Sequence, residues 1–172
     1  MRETLFNILG TAIEGAIFAD LFAGSGAVGI EALSRGARGA IFVENHPAGA
    51  ALIARNLASL GIPTAAQVAG GKIFAGSAEI LRMDAMVALE RLAAASGRVD
   101  FVYLDPPYAD TRAYEEILAL LGESELLARG GLVIAEHRRK NDLQAIAGHL
   151  ERVRVVEQGD TALSFYRTVF AA

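Results

Sequence analysis

Apolar positions along the chain follow two alternating periods. Leu5, Ile8, Leu9 and Ala12 fall on one helical stripe, which predicts a helix over residues 2–13. A strand is predicted at 16–22, a helix at 27–35 ended by Gly36, and a second strand at 40–44. Residues 48–60 predict a helix halted by Gly61 and Pro63. Further strands are predicted at 79–83, 101–104 and 131–136, helices at 85–94 and 111–121, and a short helix at 143–150. Such alternation predicts an α/β fold whose mostly parallel sheet is covered by helices. The end differs: residues 152–157 and 162–168 alternate around Gly159-Asp160, which predicts an antiparallel hairpin. The Ala- and Gly-rich stretch 63–78 predicts a loop with a short edge strand.

Composition narrows the setting. A length of 172 residues suits one domain over residues 1–172 with a single sizeable core. Mean hydropathy is +0.35 and 53% of residues are hydrophobic, yet Asp, Glu, Arg or Gly cuts every apolar stretch short of the roughly 20 residues a membrane span needs. A soluble, cytoplasmic monomer is expected, with no membrane partner and no secretory leader. There is no cysteine, which excludes disulfides, thiolate metal sites and thiol nucleophiles, and no metal is expected. The net charge of −4 weighs mildly against nucleic acid binding. Its distribution matters more, because Arg138-Arg139-Lys140 forms the one basic run and Arg112 lies near another strand-to-helix junction.

Gly24-Ser25-Gly26-Ala27-Val28-Gly29 matches G-x-G-x-x-G between a predicted strand and helix, where glycines permit a tight turn and close ligand approach. Two acidic residues narrow the ligand. Asp20, four residues before Gly24, is awkward beside a diphosphate but suits the ammonium of S-adenosylmethionine. Glu44, 20 residues after Gly24, holds the position of a carboxylate that takes ribose hydroxyls. Phe22, Asn45, Met83 and Asp84 complete the expected cofactor contacts, with Asp84 near the adenine.

Asp105-Pro106-Pro107-Tyr108 closes the apolar run 101–104 with a carboxylate and two prolines, each of which fixes φ and removes an amide donor. An amine-methylating site fits this terminus. Asp105 and the Pro106 carbonyl would accept from an exocyclic amine and aim its lone pair, while Tyr108 would stack on a flipped base.

Arg2-Glu-Thr-Leu-Phe-Asn-Ile-Leu, the Asp20 loop, Asp105-Pro-Pro-Tyr, the strand end Glu136-His137 and Gly159-Asp160-Thr-Ala-Leu-Ser-Phe-Tyr166 together resemble the RsmD-type 16S ribosomal RNA guanine-N2 methyltransferases. The resemblance covers nearly the whole chain. It implies a class I, Rossmann-like methyltransferase fold with seven strands, S-adenosylmethionine as cofactor, and 16S RNA or the assembling small ribosomal subunit as partner. By the same resemblance Phe6 and Asn7 would flank the methionine end of the cofactor, with helix packing the competing role for both. The family's members usually carry a basic N-terminal hairpin and strand, whereas this chain opens at Met1-Arg2, so fewer RNA contacts are expected. Arg138, Arg139, Lys140 and Arg112 are the candidates for those that remain. Three alternatives stay open: an adenine-N6 methyltransferase, a nicotinamide oxidoreductase, and a non-catalytic RNA-binding assembly factor that keeps the fold.

Overall fold

The short apolar runs become strands covered on both faces, which is why they lack an inside–outside alternation. The computed structural model describes residues 1–65, 77–95, 97–107 and 111–169. In it β1 (Ile17–Asp20), β2 (Gly39–Val43), β3 (Ser77–Leu81), β4 (Val99–Leu104) and β5 (Leu127–Arg138) run parallel. Every residue of β1 and β2 is buried. The two-residue β6 (Ile146–Ala147), β7 (Leu150–Gln158) and β8 (Thr161–Thr168) add an antiparallel flank, in the order β3-β2-β1-β4-β5-β8-β7-β6. From β1 the chain winds one way through β2 and β3 and the other way through β4 and β5. The C-terminal ends of β1 and β4 therefore flank the switch point where such sheets bind ligands.

Two helical layers close the sheet. Leu5, Phe6 and Leu9 of α1 (Arg2–Leu9) and Ala32 of α2 (Ala27–Ser34) pack on Phe18, Phe101, Tyr103 and Phe165, and α3 (Pro47–Ser59) extends that face with Ile53 and Leu57 on Phe42. On the other face, Ala88 and Leu89 of α4 (Ala85–Ala94) and Ile117, Leu118 and Leu121 of α5 (Thr111–Glu123) pack on Ile41, Val102, Leu104 and Val133. Each of these large side chains contributes about 1.5–3 kcal/mol by leaving water.

Boundaries shift for local reasons. The first helix ends at Leu9 and continues as a tighter 3₁₀ turn over Gly10–Ile13, because Gly10 adopts φ +52° and breaks the α geometry. β3 spans Ser77–Leu81 where 79–83 was expected, and it ends two residues early because the amide of Met83 turns back to the Leu81 carbonyl at 3.0 Å and Asp84 already caps α4. β5 is longer than expected and absorbs a bulge opposite β4 between Val99 and Phe101. The hairpin turns at Gly159, φ +61°, as expected. Most of the predicted loop 63–78 lies outside the described residues.

The helix expected at 143–150 is instead irregular chain ending in β6, which adds an eighth strand to the seven expected. Its carbonyls are claimed from outside: the Arg152 guanidinium donates to Leu143 O at 2.8 Å and the Tyr166 hydroxyl to Gln144 O at 3.0 Å. Ala147 and Leu150 then pair across a turn at Gly148, φ +56°, and both are buried. A Cβ on Gly122 of α5 would stand 2.0 Å from the Ala147 carbonyl oxygen, so β6 sits against bare helix backbone. Gly122→Ala is expected to destabilise the protein by about 1–3 kcal/mol and lower its Tm by several degrees. Urea and thermal unfolding check this; an unchanged midpoint would contradict the contact.

Candidate active site

The site starts from the loop after β1. The Leu21 amide reaches Tyr103 O at 3.0 Å and the Ala23 amide reaches Val43 O at 2.9 Å, carrying the chain out between β4 and β2 before α2 begins. Gly24 and Gly26 adopt φ +55° and +80°, a region that disfavours side chains. Gly26 caps α2, and its position would crowd Ile53 and Phe42 at 3.3 Å if it carried a Cβ. Gly29 has a packing role: a Cβ there would overlap the Phe42 ring at 2.4 Å, so it lets α2 lie on β2.

Glu44 ties this loop to the end of β2. Its Oε2 accepts from the Gly24 amide and its Oε1 from the His46 amide, each at 2.8 Å, and Gly49 leaves room for it because a Cβ there would come within 2.8 Å of Glu44 Cγ. Each carboxylate oxygen retains a further acceptor position. Asn45 is exposed, Met83 and Phe22 are half-buried against the core on the α4 side, and Asp84 caps α4 by accepting from the Met86 amide at 2.8 Å. Asn7 is exposed on α1, whereas Phe6 is buried against Phe18 with ring centroids 6.0 Å apart and takes the packing role.

Negative charge gathers at the end of β1, just past β4 and at Glu136 of β5. Asp20 is 1% exposed, and its Oδ1 has no hydrogen-bond partner among the described residues. Burial above all pushes its pKa from 3.8 to about 7; the Phe22 amide opposes the shift, the Asp105 charge adds to it, and the Gly29 amide and Glu44 charge act more weakly in opposite senses. Asp105 is half-buried and raised to about 6, by burial first and the Glu136 charge second. Tyr103, buried between them, donates its hydroxyl to Glu136 Oε2; burial and then the charge of Glu136 push its own ionisation well above the ordinary range. Pro106 is buried and Pro107 exposed, while Tyr108 lies outside the described residues.

An orphaned, buried carboxylate oxygen fits a ligand that brings its own cation, as the ammonium and sulfonium of S-adenosylmethionine do. The glycine loop beside it gives such a ligand backbone to approach. The basic residues stand apart. Arg138, Arg139 and Lys140 are exposed and line a groove of about 470 Å³ with Asp160 and Thr161, and Arg112 pairs weakly with Glu116 at 3.4 Å on the exposed face of α5.

Against known proteins, the family model described as Conserved hypothetical protein 95 matches residues 1–167. The chain belongs to this family, the RsmD family. Ribosomal RNA small subunit methyltransferase D of Escherichia coli is 34% identical over 97% of this chain and 76% of its own length. A solved conserved hypothetical protein from Streptococcus pyogenes, 29% identical, superposes with a TM-score of 0.79 over 98% of this chain and 96% of that one. At 17% identity the fold alone is shared with an RNA methyltransferase from Salinibacter ruber solved with S-adenosyl-L-homocysteine, TM-score 0.63, over 97% and 88% of the two chains.

Two members of the site escape sequence reasoning. Tyr103 reads as one more apolar strand residue and Glu136 as a strand end, and only the register of β4 on β5 brings them together. The available signal was the spacing of two from Tyr103 to Asp105, which puts both on one face of an extended chain.

The charge on Asp20 works against folding. Its pKa is about 7 in the fold against 3.8 as the ordinary value, so the penalty is full above pH 7 and disappears as pH falls toward 4. Asp20→Asn is therefore expected to be more stable than the native chain at pH 8, by about 2–4 kcal/mol, with the advantage gone near pH 4. Denaturant titrations across that range check the sign.

Proposed function

We propose that this chain transfers a methyl group from S-adenosylmethionine to the exocyclic N2 of a guanine in small-subunit ribosomal RNA, acting as a one-domain monomer in the cytoplasm. The observation that supports this most is the pair of adjoining strand-end carboxylates, Asp20 and Asp105, at the switch point of a sheet whose glycine loop leads directly out of Asp20. The family's curated relative in Escherichia coli is named for ribosomal RNA methylation.

When bound, S-adenosylmethionine supplies an electrophilic methyl group on a sulfonium. Asp20 holds the cation that compensates its buried charge, and Glu44 orders the loop through Gly24 while offering its remaining lone pairs to ribose hydroxyls. Asp105 accepts a hydrogen bond from the target amine, which localises the nitrogen lone pair and orients it. Methylation would form one N–C bond as the donor's S–C bond breaks to leave a neutral thioether, and it releases one proton from that nitrogen. Asp105, with its pKa near 6, is matched to receive it at neutral pH. The groove beside Arg138, Arg139 and Lys140 offers cationic contacts to the RNA backbone.

Transfer of labelled methyl to immature small-subunit particles, followed by nucleoside analysis, tests the proposal. N2-methylguanosine is expected; N6-methyladenosine or no label would overturn it. Asp105→Ala is expected to lower the rate by at least about 100-fold with cofactor affinity within a few-fold of native, and full activity in that variant would exclude its role.

A further inference from the structure

We infer that Glu136 is the residue that selects guanine, its carboxylate accepting from the N1–H of the base while Asp105 accepts from the neighbouring exocyclic amine. The inference rests on the guanine reading above.

Position comes from the sheet. Leu104 on β4 pairs in parallel register with Ala135 on β5, so Asp105 and Glu136 each stand one residue beyond, on neighbouring strands about 4.8 Å apart. Orientation comes from two tyrosines on different elements. The buried Tyr103 of β4 donates to Glu136 Oε2, and the buried Tyr114 of α5 donates to the Glu136 main-chain oxygen at 2.6 Å. Both the side chain and the backbone of Glu136 are thus held, although the residue is only half-buried. Tyr103 also feels the charges of Asp105 and Asp20, so the four groups lie within electrostatic reach of one another. His137, the next residue, is buried and engaged elsewhere, with its ring nitrogens at 2.8 Å from Ser164 Oγ and 2.9 Å from Arg138 O.

Chemistry then selects the base. A lone strand-end glutamate needs no buried hydroxyl to aim it, and two like charges side by side destabilise one another unless donors come between them. Guanine presents adjacent donors, N1–H and the N2 amine, along its pairing edge. Adenine presents an acceptor at N1 beside its amine, so a fixed carboxylate there would face a lone pair and leave both groups unpaired.

The test uses small-subunit particles carrying either guanine or 2-aminopurine at the position that the native chain methylates. 2-Aminopurine keeps the exocyclic amine but lacks the N1 proton. The native chain should prefer guanine by about tenfold or more in kcat/KM. Glu136→Gln, whose amide donates to the bare N1, should narrow that ratio toward one or invert it, with the cofactor Kd from calorimetry within twofold of native. A purely structural role would depress both substrates together and leave the ratio unchanged, and that result would overturn the inference. Tyr103→Phe keeps the packed ring and frees the carboxylate; it should narrow the preference at unchanged cofactor affinity, and a preference kept in full by this variant would overturn the inference as well. If the native chain methylates no guanine, the proposed function falls and takes the inference with it. Guanine methylation with a preference indifferent to Glu136 removes the inference alone.

Discussion

Carboxylates crowded at the open end of a buried sheet are the constraint from which the rest of the site follows. The parallel order β1-β4-β5 makes neighbours of Asp20 at the end of β1, Asp105 just past β4 and Glu136 beside it on β5, with a tyrosine hydroxyl among them. Helices cover both faces, so water cannot screen the charge at Asp20. Neutralisation or a cationic ligand are the two ways to relieve such a group, and burial accordingly raises its pKa to about 7.

The glycines divide the work of holding this end open. Gly29 lets α2 settle on Phe42, which fixes the helix against β2, and Gly24 lends its amide to Glu44, which fixes the loop to the end of that same strand. Gly49 in turn leaves Glu44 room. The loop is consequently ordered by packing and by backbone donors before any ligand arrives, so less conformational entropy is lost on binding. Tyr103 and Tyr114 do for the β5 end what Glu44 does for the β2 end. Both devices use fixed donors to hold a glutamate, the Gly24 and His46 amides for Glu44 and the two tyrosine hydroxyls for the carboxylate and carbonyl of Glu136.

Much of this was legible in the chain. The β-rich apolar runs at 101–104 and 40–44 could only be buried strands, and Gly159-Asp160 between alternating segments could only be a tight hairpin turn. Asp20, Glu44 and Asp105 were marked by their distance from the glycines and prolines, since those residues punctuate strand ends. The segment 143–150 misled because Leu143, Ala147 and Leu150 fit a helical stripe as well as a hairpin. Arg152 and Tyr166, later in the chain, settled the matter by taking its carbonyls. The motif alone does not say which of its glycines a neighbouring ring requires, and the Phe42 contact at Gly29 appears only in the fold.

The sequence by itself determined the elements, the glycine loop and the acidic residues at strand ends, because these depend on local backbone freedom and on periodicity within a few residues. Tertiary structure alone decided that Asp20 carries an orphaned oxygen, that Tyr103 grips Glu136 across 33 positions of chain, and that the Glu136 charge adds to burial in raising the pKa of Asp105. Those facts arise from strand register and burial. Both are set by how the whole sheet closes against its helices, which no local window of residues contains.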